Sequence, residues 1–194
     1  MNRTGQVARK TGETEIFVTI DLDGEGASKI ETGIGFFDHM LSALAKHGLF
    51  DLTVQVKGDL EVDGHHTVED TGIVLGTAIA QALADKKGIR RVGSCFMPMD
   101  ESLAFCALDI SGRPYLAFSA EFPAEMCGGY ASELTEEFFR AVSVASGITL
   151  HLKAEGRNTH HMIEALYKAF ARALRDAAAL DPRVKGVPST KGVL

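Results

Sequence analysis

The sequence predicts an α+β chain made of two diverged copies of one half-domain, with sheets backed by helices on one face. Three observations carry this expectation. A strand and its turn recur: Glu13 to Gly24 reads E-T-E-I-F-V-T-I-D-L-D-G, and Glu101 to Gly112 reads E-S-L-A-F-C-A-L-D-I-S-G. An amphipathic stretch bearing a Phe-Phe pair follows each strand, over Gly35 to Gly48 and Glu136 to Gly147. Each copy then delivers H-H-x-x-E at the head of a long helical pattern.

The first element of each copy alternates apolar and polar residues with the period of a half-buried strand and ends in D-x-x-G, a turn signal. After the Phe-Phe segment comes a second strand, Leu52 to Val56 in one copy and Thr149 to Ala154 in the other. His65-His66-Thr67-Val68-Glu69 opens a helix over Thr67 to Lys86, with small and apolar residues at Ile73, Leu75, Ala78, Ile79, Ala82 and Leu83. Within it, Gly72 and Gly76 read as points of close helix packing. His160-His161-Met162-Ile163-Glu164 opens the other, whose stripe is Leu166, Phe170, Ala173, Leu174 and Ala177 and which stops before Asp181-Pro182. The halves are placed at 1–93 and 94–180, with a tail at 181–194. No low-complexity linker divides them, so one shared core is expected. Strands and helices alternate too irregularly for a doubly wound fold.

With 194 residues, 45% hydrophobic and 24% charged, the chain can bury roughly 70% of its unfolded surface. Its apolar runs, such as Ile73 to Ala84, are broken by Gly, Thr and Gln and are too short for a bilayer, and Met1-Asn2-Arg3 opens no signal peptide. A soluble cytoplasmic protein without a membrane partner is therefore expected. Cys95, Cys106 and Cys127 show no C-x-x-C spacing and read as small core residues. A net charge of −6 argues against a nucleic-acid partner, which demands clustered Lys and Arg.

Five of the seven histidines fall in three places: His39, His65-His66 and His160-His161. Imidazole with carboxylate and no nearby thiolate suits first-row divalent metals. Adjacent helical side chains point about 100° apart, so the two histidines of one motif should not serve one metal. The simplest arrangement has two metals. His66 and Glu69 take one, His161 and Glu164 its symmetry mate, while His65 and His160 cross over to complete the opposite sites. Extending the repeat puts His39 in the register of Glu137, giving each site a fourth ligand. Gly33-x-Gly35 lacks the strand, further glycines and helix of a nucleotide loop. Arg90-Arg91, Arg113 and the tail Val187-Pro-Ser-Thr-Lys-Gly192 together supply cations and hydroxyls that suit a phosphate dianion.

Seven segments jointly resemble imidazoleglycerol-phosphate dehydratases: T-G-I-G-F-F-D-H-M-L (32–41), H-G-L-F-D-L (47–52), G-D-L-E-V-D-G-H-H-T-V-E-D (58–70), P-M-D-E-S-L (98–103), S-G-R-P-Y-L (111–116), N-T-H-H-M-I-E-A (158–165) and P-S-T-K-G-V-L (188–194). The resemblance implies a duplicated half-domain like the second domain of ribosomal protein S5, with helices packed between two four-stranded sheets. It also implies two Mn2+ per active site and a homo-oligomer of trimers, a 24-mer, with active sites between subunits. Implied metal ligands are His39, His65, His66, Glu69, His160, His161 and Glu164, with Glu137 standing where some relatives carry His. Implied substrate contacts are Glu13, His47, Arg91, Arg113, Ser189, Thr190 and Lys191.

The reaction implied is hydro-lyase chemistry in histidine biosynthesis: imidazole glycerol phosphate loses water to give imidazole acetol phosphate. The hydrogen to be lost lies beside no carbonyl, so the ring must carry the charge. Coordination of both ring nitrogens by divalent cations would hold the ring as imidazolate at neutral pH. That ring can expel the hydroxyl through a diazafulvene-like intermediate, with Glu13 and Glu164 as acid/base candidates and Glu69 mainly a ligand. Two rival classes use the same residues. A binuclear hydrolase would hold its metals ~3.5 to 4 Å apart, and a metal-storage cage would have no need of Arg91, Arg113 and Lys191.

Overall fold

The computed structural model describes residues 3–192 and Leu194. Met1 and Asn2, the start of the supposed leaderless terminus, and Val193 of the tail motif lie outside the described residues. The first half runs β1 (Thr4–Lys10), β2 (Thr14–Asp21), β3 (Ser28–Glu31), α1 (Gly35–Gly48), β4 (Asp51–Gly58) and α2 (His65–Leu83). The second half repeats it as β5 (Val92–Met99), β6 (Ser102–Asp109), β7 (Tyr115–Ser119), α3 (Leu134–Ser146), β10 (Thr149–Glu155) and α4 (Thr159–Ala178). A short hairpin, β8 (Met126–Cys127) with β9 (Tyr130–Ala131), is inserted before α3. The strand orders β1-β2-β4-β3 and β5-β6-β10-β7 are the same in both halves, each with one parallel pair closing the sheet. The α+β duplication expected from the sequence is what the chain adopts. The second sheet opens at Val92, just ahead of the boundary placed at 93.

The repeat has one physical cause in both copies. In β2 the side chains of Thr14, Ile16, Val18 and Ile20 point inward, and in β6 those of Ser102, Ala104, Cys106 and Leu108 do the same. Each sheet thereby offers one apolar face, and all four helices fill the space between the faces. The seam between the layers is aromatic: Phe138 stacks on Tyr167 at 5.1 Å, and Phe139 meets Phe170 edge-on at 5.4 Å. The helices pair across the halves. On α2, Gly72 faces Phe138 and Ala141, and Gly76 faces Val142 and Ala145, so α2 and α3 run parallel at a separation only glycine permits. A Cβ at Gly72 would stand 2.8 Å from the Phe138 carbonyl oxygen. Likewise α1 lies along α4, with His39 beside His160 and Glu164.

These pairings set the polarity of the molecule. Gly64, which precedes α2, lies against Ile34 and Leu134 at the starts of α1 and α3, and His160 in the first turn of α4 adjoins His39. All four helices therefore begin at one edge. At the other end the tail is tied down: Gly88 N–H donates to the Gly186 carbonyl at 2.9 Å and Asp181 N–H to the Gly88 carbonyl at 2.9 Å. The helix placed at Thr67 to Lys86 starts earlier, at His65, with Gly64 as its N-cap; just ahead of it the Asp63 carboxylate accepts the His65 N–H at 2.7 Å and shapes the turn that leads into the histidines. It ends at Leu83, where Ala84 turns to a positive φ of 47°.

Candidate metal centre and anion clamp

Both H-H-x-x-E motifs sit in first turns at the common edge, where the first histidine and the glutamate are one turn apart and share a face. In α4 this brings His160 Nε2 to 3.1 Å from Glu164 Oε2, and His39 Nε2 reaches the same oxygen from α1 at 3.3 Å. Donor atoms of His39, His160 and Glu164 all lie within 4.8 Å of one another. Two imidazoles and a carboxylate without thiolate form a donor set that fits a first-row divalent ion. Glu164 is 91% buried at its side chain, and its second oxygen takes the Lys168 ammonium at 2.6 Å. Burial pushes the Glu164 carboxyl up, but Lys168, His39 and His160 together hold it below its ordinary value. In α2 the corresponding pair, His65 and Glu69, is looser at 4.0 Å, and His65 faces a cleft of about 650 Å³ bordered by Gly33, Leu60, Gly129 and Leu134.

The structure redistributes the histidines relative to the expected pairing. Glu164 groups with His160 and His39 rather than with His161, since a helix beginning at Thr159 sets the i,i+4 pair facing α1 and turns His161 toward the β5–β6 turn. There His161 Nδ1 meets Glu101 Oε2 at 2.9 Å and Nε2 stands 3.7 Å from Asp100. In the first half His66 Nδ1 meets Asp59 Oδ2 at 3.0 Å, and its Nε2 lies 3.8 Å from Glu13. Donating a hydrogen bond to Asp59 raises the His66 pKa, and donating one to Glu101 raises the His161 pKa. The His161 and Ser102 contacts in turn pull the Glu101 carboxyl down to about 2. Glu137 keeps the register of His39, each lying ten positions ahead of a left-handed helix terminator, Leu49 and Gly147. Its carboxylate pairs with Arg140 at 3.4 Å, and the set His65, His161, Glu164 and Glu137 is not gathered within one chain.

His47 continues the α1 face beyond His39, about 12 Å further along the helix. Burial and then the cations of Lys168 and Arg172 hold its pKa below the usual value, so it favours the neutral ring at pH 7. Arg91, Arg113 and the tail converge elsewhere. Arg91 makes a two-pronged ion pair with Asp109, at 2.7 and 3.0 Å, and donates to the Pro188 carbonyl at 2.9 Å. Arg113, largely exposed, reaches the same carboxylate at 3.9 Å, while Ser189 Oγ accepts the Lys191 N–H at 3.1 Å in a turn that includes Thr190. This clamp lies at the far end of the helices, for Arg91 N–H donates to the Ala177 carbonyl at 2.8 Å. About 25 Å of helix separates Ala177 from His160 at 1.5 Å per residue. Sequence reasoning missed Lys168, although Glu164-x-x-x-Lys168 carries the spacing of a helical ion pair. It also missed Asp59, Asp109 and the site role of Glu101, whose match to Glu13 the repeat already displays.

Comparison with known proteins places these features in a family. Residues 32–174 match the family model described as imidazoleglycerol-phosphate dehydratase. A protein of that name from Acetivibrio thermocellus is 64% identical over 100% of both chains, and one from Symbiobacterium thermophilum is 64% identical over 99% of this chain and 93% of its own. Among solved structures, imidazoleglycerol-phosphate dehydratase from Staphylococcus aureus superposes with a TM-score of 0.83 at 41% identity, covering 92% of this chain and 99% of its own. The Pyrococcus furiosus structure, solved in complex with (S)-C348, gives 0.83 at 35% identity, covering 97% of this chain and 100% of its own.

Proposed function

The chain belongs to the imidazoleglycerol-phosphate dehydratase family and is a hydro-lyase by that membership, and on this premise we propose that it dehydrates imidazole glycerol phosphate to imidazole acetol phosphate in histidine biosynthesis, using two Mn2+ per site. The observation that carries the metal part is the convergence of His39, His160 and Glu164 at one point. By the repeat, His65, Glu69 and Glu137 form the matching half-site, and His66 and His161 complete the set from another subunit. When bound, the ions supply the positive charge that lets the substrate ring lose its proton at neutral pH.

The chain's own groups do the rest. Glu13 is exposed on its hairpin turn with a carboxylate free to move a proton between solvent and substrate, and the hairpin holds it beside His66. Glu164 is the second acid/base group, its charge fixed by Lys168. One C–O bond breaks as hydroxide leaves with a proton, the adjacent carbon gives up its hydrogen, and the resulting enol becomes the ketone. Arg91, Arg113, Ser189, Thr190 and Lys191 hold the phosphate, and His47 is a further substrate contact. A clamp about 25 Å from the metal cluster of its own chain cannot share one small substrate with it, which supports sites built between subunits of a large homo-oligomer such as a 24-mer of trimers. No helix among the described residues is long and apolar enough to cross a membrane, in keeping with a cytoplasmic enzyme.

Metal-stripped protein is expected to leave imidazole glycerol phosphate unchanged, and added Mn2+ to restore turnover. Equal rates with and without Mn2+ would remove the metal from the reaction. Arg113→Ala and Lys191→Ala should each raise KM for the phosphorylated substrate by about 10- to 150-fold, the equivalent of ~1.5 to 3 kcal/mol for a charge-assisted contact. A dephospho analogue should respond far less, and an equal response would show that these residues do not hold phosphate.

A further inference from the structure

The two copies of the H-H-x-x-E motif treat their second histidine alike. In each, a carboxylate from outside the motif occupies Nδ1: Asp59 at 3.0 Å from His66, Glu101 at 2.9 Å from His161. A carboxylate only accepts, so a hydrogen resides on Nδ1, and in the neutral ring the lone pair is left on Nε2, which points away from that carboxylate. We propose that Asp59 and Glu101 are positioning residues that lock His66 and His161 as Nε2 donors for manganese, an inference that rests on the metal reading above.

The two clamps come from different places in the repeat, and the difference is informative. Glu101 is the repeat counterpart of Glu13, yet its carboxylate is fully engaged. One oxygen receives Asn158 N–H at 2.9 Å, Arg157 N–H at 3.2 Å and the Ser102 hydroxyl at 2.8 Å, leaving the other for His161. Glu101 thus pins the entry to α4 and its histidine at once. Glu13 makes no such contacts and stands on the Nε2 side of His66 at 3.8 Å. In the first half the Nδ1 position is filled instead by Asp59, from the loop between β4 and α2. Divergence of the repeat has left one glutamate free to act on substrate and committed its twin to holding a ligand. Carboxylates behind a ligating imidazole fix ring orientation and raise its basicity, and their loss typically weakens metal binding by about 10- to 100-fold.

The test uses the full-length protein. Titration of metal-free wild type, Asp59→Asn and Glu101→Gln with Mn2+ is expected to show affinity lower by about 10- to 100-fold in each variant. Glutamine keeps an oxygen for the Arg157 and Asn158 amides, so the α4 entry should survive in Glu101→Gln. In parallel, nitrogen-15 spectra of the metal-free wild type should report the Nδ1–H tautomer for His66 and His161, with that preference lost in the matching variant. A neutral wild-type ring carrying its hydrogen on Nε2 rather than Nδ1 at either position, or variants with wild-type affinity, overturn the proposal. Those outcomes leave the metal reading intact. Absence of any Mn2+ binding by wild type overturns both.

Discussion

Co-expressing Glu164→Gln and Arg113→Ala chains is expected to yield an assembly with about a quarter of wild-type turnover at substrate concentrations well below KM, although each variant alone is nearly inactive there. Glu164 stands at the edge where all helices begin, and Arg113 stands beyond the end of α3 with Arg91 and the tail. If one subunit's metal cluster faces another's clamp, random mixing makes about one interface in four with both partners intact. Glu164→Gln keeps the side chain's shape while removing the charge that His39, His160 and Lys168 share, a loss of about 10²- to 10⁴-fold by analogy with other acid/base groups. Activity of the mixture no greater than the sum of the parents would confine the site to one chain.

Gly93→Ala should cost about 4 kcal/mol or more, enough to remove about a quarter or more of a typical domain's stability. A Cβ added there would lie 2.1 Å from the Ala173 carbonyl oxygen of α4, and backbone on both sides leaves nothing flexible to yield. Gly5 is its repeat twin, facing the Ala78 carbonyl of α2 at 1.9 Å, and should behave alike. Urea unfolding measures the effect. A midpoint within experimental error of wild type would mean that the strands can retreat from the helices without loss.

Much of this architecture could be read from residue order because the duplication states each element twice. The α1 span Gly35–Gly48 follows from its apolar stripe, and β10, Thr149–Glu155, from its alternation. The resemblance implies four strands in each sheet, but the residue pattern does not locate β1, β3, β5 and β7. Their outward positions carry Lys10, Phe96 or Tyr115, an inward position of β1 carries the charged Arg9, paired with buried Asp70, and β3 and β7 pair in parallel with strands that follow a helix. The motif histidines were legible as a set, but their partners were not. Which histidine shares a face with the glutamate depends on where the helix begins, and that is set in the turn shaped by Asp63 and at the Asn158 cap, residues outside the apolar pattern. The clamps on His66 and His161 arise from tertiary contacts spanning 7 and 60 positions, beyond the range of any local rule.

Pairing α1 with α4 and α2 with α3 also governs how the protein comes into being. Neither half closes a core by itself, since the helix faces left open by the first sheet are covered only by helices of the second. Contacts such as His39 with Glu164 join positions 125 apart, so loop closure must precede most of the stabilising burial. Folding of this kind runs in milliseconds to seconds rather than microseconds. On a ribosome adding ~5 to 20 residues per second, the first half waits about 5 to 20 s for its partner. Through that interval Phe37, Leu41, Val74 and Leu75 lie uncovered, and the nascent chain is a substrate for chaperones until α4 emerges.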